Sequence, residues 1–164
     1  MGTGSSALLQ KTEIEQIASE TGFSSGQIKR LYNRFKSLDK EQQGYLTKSA
    51  LTGIPELHVS PLRDRIIDVL INDYGSDNTL NFRQFAKVLS TFRRKNSPSD
   101  NVGPHSRENK LRFVFSVYDR DKDNKISKEE LMSILHLLVG ANLPEEQMNS
   151  IAERTILELD ETGS

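Results

Sequence analysis

The chain has no cysteine. That absence removes disulfide scaffolds, thiolate zinc sites and cysteine nucleophiles together, and it fits a reducing compartment. Long apolar runs are missing too. No window holds eighteen apolar residues, so no helix is expected to span a bilayer. Leu8-Leu9 is too short for the apolar core of a signal peptide, and a cytosolic chain is expected. Excess charge of one sign is also lacking: 22 Lys and Arg stand against 23 Asp and Glu, a formal net charge of -1. There is no general basic field to draw the chain to DNA or RNA, so nucleic acid is not an expected partner. His58, His105 and His136 lie far apart in no metal or triad spacing, and no phosphate loop is present. No enzyme is expected.

Helical periodicity is what the chain does have, over 164 residues that suffice for one domain or two small lobes. Glu13 to Glu20 reads as a short helix stopped by Gly22. Ser24 or Ser25 caps the next, whose Ile28, Leu31, Tyr32, Phe35 and Leu38 share a face. A short helix follows at about Thr47 to Gly53. Ser60-Pro61 reads as N-cap and first residue of a helix bearing Leu62, Ile66, Ile67 and Leu70. Asp73 to Asn78 is turn-like and Phe82 to Phe92 is helical again. Arg93 to His105 reads as an exposed linker. Ser106 caps a helix bearing Leu111, Val114, Phe115 and Tyr118. The next carries Leu131, Ile134, Leu135 and Leu138 and ends at Gly140; Pro144 starts a last one with Ile151, Ala152, Thr155, Ile156 and Leu159 inward.

This is a repeat of helix, short polar loop and helix, with loops beginning near Asp39, Asp73, Asp119 and Asp160. An apolar residue at the eighth loop place, Leu46, Leu80 or Ile126, is placed to pair as a short strand with its neighbour's equivalent. The third loop has legible chemistry. Calcium takes six to eight hard oxygens at roughly 2.3–2.6 Å. Asp119, Asp121 and Asp123 stand at places 1, 3 and 5. Lys125 at place 7 offers a backbone carbonyl, Ser127 at place 9 a water or its own oxygen, and Glu130 at place 12 a bidentate carboxylate. Asn124 holds place 6, where the left-handed turn asks for glycine; asparagine tolerates that conformation well. About one calcium ion is expected, with magnesium its competitor.

The other loops fall short. The first has Ala50 at place 12, and the second has Gly75 at place 3 and Gln84 at place 12, so both are expected to serve as structure only. The fourth, Asp160 to Ser164, reaches its fifth place. The expected fold is therefore all-α, two lobes of paired helix-loop-helix units with the second incomplete and looser than the first. The expected divisions are an arm and short helix at 1–22, a first pair at 23–93, a linker at 94–105 and a second lobe at 106–164.

The stretches Glu20-Thr-Gly-Phe-Ser24, Arg30-Leu-Tyr32, Ser37-Leu-Asp39, Ile54-Pro-Glu-Leu57, Asp64-Arg-Ile-Ile67, Tyr118-Asp119 and Ile151-Ala-Glu-Arg-Thr155 resemble the calcineurin B homologous proteins, EF-hand relatives of the calcineurin regulatory subunit. The resemblance covers nearly the whole chain, and the two degenerate loops favour this group over the calcineurin subunit proper. It implies a non-catalytic, calcium-binding adaptor for an amphipathic juxtamembrane helix of a sodium/proton exchanger. The alternative it implies is a regulator of the phosphatase, bound to the calcineurin catalytic subunit. Met1-Gly2-Thr3-Gly4-Ser5-Ser6 independently fits the myristoylation pattern, with Gly2 the acceptor. One myristate anchors weakly, so a second contact is needed at the membrane surface. The expected location is the cytoplasm, peripheral at the plasma membrane, with the nucleus open.

Overall fold

The structure, a computed structural model, describes residues 9–93 and 103–161. Helix α1 (Lys11–Thr21) ends at Gly22, whose φ of +70° is left-handed and whose N–H donates to the Ala18 carbonyl. Ser24 caps α2 (Ser25–Leu38) in a capping box with Gln27, and Ile28 and Phe35 on its apolar face are buried. Strand β1 (Tyr45–Thr47) leads into α3 (Lys48–Thr52) and α4 (Pro55–His58). Helix α5 (Arg63–Val69) starts later than the Ser60-Pro61 signal predicts, with Leu62 at its N-cap. The Ser60 hydroxyl accepts instead from the Leu62 N–H at 3.2 Å and makes a turn. A π-helical segment, Leu70–Tyr74, continues α5 into what reads as turn from sequence. Strand β2 (Thr79–Asn81) and α6 (Phe82–Thr91) complete the first half.

The two strands pair antiparallel with Leu46 opposite Leu80, as the eighth-place pattern predicts, and both side chains are fully buried. Around them Phe35, Phe82 and Phe85 meet edge-on or tilted, with ring centroids 5.5 and 5.7 Å apart.

The second half opens on a helix that packs against the first. Helix α7 (Arg107–Tyr118), capped by Ser106 as expected, sends Phe113 and Val117 into the first half's core. Phe113 stacks edge-on against Phe92 at 4.9 Å and tilts against Tyr74 at 6.0 Å. Of the apolar residues that the sequence places on this helix, Leu111 and Val114 are exposed, while Phe115 and Tyr118 are half-buried. Burying Phe113 against the first half gains about 1.5–3 kcal/mol over leaving it in water, which selects that face. At the end of the predicted linker, His105 is buried rather than exposed; residues 94–102 lie outside the described residues.

Helix α8 (Lys128–Val139) ends at Gly140, at φ +59°, and α9 (Glu145–Glu161) follows a single 3-10 turn at Gly140–Asn142. Ile134, Met148 and Ala152 are their buried apolar side chains. Ile151 and Leu159, predicted inward, are exposed, and so is Leu138. Ile126 is half-buried and lies in no strand among the described residues. Helix α9 runs through Asp160 and Glu161, so the predicted start of a fourth loop is helical. No described helix is long and apolar enough to cross a membrane.

Candidate metal centre and helix groove

Helix α7 delivers the first candidate ligand. Asp119 is its C-cap, its N–H held by the Phe115 carbonyl at 2.8 Å, and its side chain is buried. One carboxylate oxygen, Oδ2, accepts from the Asn124 N–H at 3.0 Å. The other, Oδ1, is buried with no hydrogen-bond partner. A buried carboxylate oxygen left unpaired is costly unless a cation meets it. Asp121 and Asp123 brace the turn, accepting from the N–H groups of Asp123 at 3.2 Å and Lys125 at 2.8 Å. Carboxylate oxygens of Asp119, Asp121 and Asp123 converge within 4.8 Å of one another. Asn124 adopts φ +65°, the left-handed turn expected of place 6.

Glu130 is not in that trio. Its Oε1 accepts from the N–H of Arg120 at 2.6 Å and of Asp121 at 3.3 Å, and its Oε2 from the Ser127 N–H at 3.0 Å. Burial pushes its carboxyl up, but the backbone N–H groups of Ser127, Arg120 and Asp121 and the Ser127 hydroxyl outweigh it, and the carboxyl lies below the ordinary range. Ser127 caps α8 and closes a capping box with Glu130. Glu130 thus ties the start of the loop to the first turn of α8. The donor set is hard oxygen throughout and includes an orphaned buried one, which fits calcium or magnesium. The Lys125 carbonyl completes the ligand set in this reading.

The first two loops are closed differently. Both oxygens of Asp39 are taken by loop N–H groups, Gln43 at 3.0 Å and Gly44 at 2.7 Å. In the second loop a Cβ at Gly75, place 3, would collide with the Thr79 carbonyl oxygen and lie 2.5 Å from that of Ile71. No ligand side chain fits there. Ser76 and Thr79 instead exchange two backbone hydrogen bonds of 2.9 Å.

An apolar groove of about 550 Å³ opens on the first half, with Leu31, Ile54, Leu57, Val88, Leu89 and Phe113 among its walls. Arg34 and Glu56, paired at 2.5 Å, are the charged groups on its rim. The Arg34 side chain, hydrogen-bonded to Glu56, holds that carboxyl below the ordinary range. The sequence signals missed this groove, because its walls come from α2, α4, α5, α6 and α7. Gly2 lies outside the described residues.

Two-helix calcium loops paired through a short strand contact are the architecture of EF-hand proteins, and a model of an EF-hand domain pair matches residues 108–164. Across 99% of its length the chain is 41% identical to the calcineurin B subunit of Naegleria gruberi, covering 85% of that protein. It is 41% identical to the type 2 calcineurin B subunit of Dictyostelium discoideum, over 97% of this chain and 81% of that one. To the calcineurin B subunit of Yarrowia lipolytica it is 36% identical, over 94% and 83%. The chain belongs to the calcineurin B-like EF-hand proteins, calcium-binding regulatory subunits.

Proposed function

We propose that the chain binds about one calcium ion in the third loop and holds an apolar helix of a larger protein in the groove of its first half. The observation that carries this is α7. Phe113 on that helix is a wall of the groove, and Asp119 at its end is the buried first ligand. Ion and helix therefore act on one rigid element. The ligands are Asp119, Asp121, Asp123, the Lys125 carbonyl and Glu130, with Ser127 at the ninth place. The calcium dissociation constant is expected at about 10⁻⁷–10⁻⁵ M or weaker.

The relatives are named as B subunits of calcineurin, which favours the catalytic subunit of that phosphatase as the source of the helix. A second reading rests on the closed second loop, where Gly75 admits no ligand. Degenerate first-half loops go with the calcineurin B homologous group, and that favours the juxtamembrane helix of a sodium/proton exchanger. In that reading a myristate on Gly2 anchors only weakly, and the exchanger helix supplies the second contact at the plasma-membrane surface. Titration calorimetry with a synthetic peptide of each helix, with calcium and with chelator, tests the proposal. Binding of either peptide, weakened by chelator and by Phe113→Ala, is expected. Binding of neither peptide overturns the helix reading, and no heat with calcium alone overturns the metal reading.

A further inference from the structure

Lys122, at the fourth place of the third loop, does not fold onto its own loop's carboxylates. Its ammonium pairs with Asp73, the first residue of the degenerate second loop, 49 residues away. Lys122 takes φ +61°, directly between the ligands Asp121 and Asp123. The Asp73 side chain is 23% exposed. Its loop offers a cation nothing else at place 3, because Gly75 is walled in by the carbonyls of Ile71 and Thr79. Two further contacts seat the same surfaces: Tyr74 against Phe113, and Arg65 Nη2 donating to Ser133 Oγ at 2.8 Å.

Resting on the reading of the third loop as a calcium site, we infer that Asp73 is a remote regulator of that site, drawing the Lys122 ammonium away from the ion and so coupling calcium loading to the clamping of the third loop on the second. The sign follows from Coulomb's law. Left unpaired, the ammonium competes with calcium for Asp121 and Asp123 and repels the incoming ion. Bound to Asp73, it does neither. Calcium in turn repels Lys122 toward Asp73 and strengthens the clamp, because coupling between two equilibria is reciprocal. The degenerate loop thus keeps a use for its first carboxylate, with a protein ammonium in place of a metal.

The test is calcium calorimetry on the full chain at low ionic strength with Asp73→Asn, Lys122→Met and the double variant, far-ultraviolet circular dichroism confirming the fold. Asp73→Asn should weaken calcium binding about two- to five-fold, in line with a partly exposed ion pair. Lys122→Met should leave it near the parent's value, and in the Lys122→Met background Asp73→Asn should have little further effect. Lys122→Arg should keep the parent's sensitivity to Asp73→Asn. Hydrogen exchange gives an independent readout: calcium should slow residues 70–77 in the parent and not in Lys122→Met. Unchanged affinity in Asp73→Asn, an equal loss in both backgrounds, or equal slowing in both proteins overturns the inference while leaving the calcium site standing. A parent that binds no calcium overturns both.

Discussion

Glu130 does two jobs with one carboxylate, and they are separable by experiment. It caps α8 by accepting from the Ser127 N–H, and it ties the start of the loop through Arg120 and Asp121. Calcium needs the same two oxygens. Glu130→Gln keeps the size but loses the charge and the second equivalent oxygen, so calorimetry should show calcium binding abolished. Because the folded carboxyl lies below its unfolded value, its stabilising contribution is complete above the unfolded value and disappears as pH falls through the folded one. In acid titrations followed by circular dichroism, Glu130→Gln should lack that component. Gly75 is the second residue whose identity the structure dictates. A methyl group there meets two carbonyl oxygens of the backbone, neither at the end of a flexible side chain. Gly75→Ala should therefore cost about 1–3 kcal/mol in urea unfolding. The candidate ligands are legible in the sequence, because places 1, 3, 5, 7, 9 and 12 of such a loop each ask for an oxygen donor and the turn at Asn124 is local chemistry. The reason for Gly75 is not, since the atoms that exclude a side chain belong to Ile71 and Thr79.

At the scale of elements, most helix ends follow their local signals: Gly22, Ser24, Ser106 and Gly140 cap as their residue types predict. Helix α7 shows where such signals stop. It carries two apolar stripes, Leu111 and Val114 on one side and Phe113 and Val117 on another. Periodicity cannot choose between two stripes; the neighbour does, and here that neighbour is Phe92 and Tyr74 of the first half. The same limit hid the Lys122–Asp73 pair, whose partners meet only once α7 is seated. Helix α7 is thus a member of the first half's core that also opens the calcium loop. Phe113→Ala should cost about 3–5 kcal/mol, as removal of a well-packed buried ring does. It should also lower the melting temperature of the first half, where a surface change such as Leu111→Ala, at 57% exposure, should have little effect.

Across the whole molecule the apolar core is unevenly shared. The main cluster runs from Ile14 to Val88 and takes in Phe113 and Val117 of α7, but none of α8 or α9. Those two helices bury Ile134, Met148 and Ala152, and they leave Leu137, Leu138, Ile151, Leu157 and Leu159 exposed. The Lys128–Glu153 ion pair that links them, at 2.5 Å, has one partner 61% exposed, and such pairs contribute at most about 1 kcal/mol. Local opening follows buried apolar contact, so the chain should divide at the calcium loop and not at the predicted linker. In native-state hydrogen exchange of the isolated chain without metal, residues 107–118 should be protected together with 25–92, and residues 128–159 should exchange much faster. Calcium should narrow the gap, because Asp119 lies on the stable side of the loop and Glu130 on the labile side, and one ion bridging them lends α8 the stability of the core. Uniform fast exchange from residue 107 onward would show that α7 is not seated in the first half. Uniform strong protection through residue 159 would show that α8 and α9 are as firmly held as the first half's core.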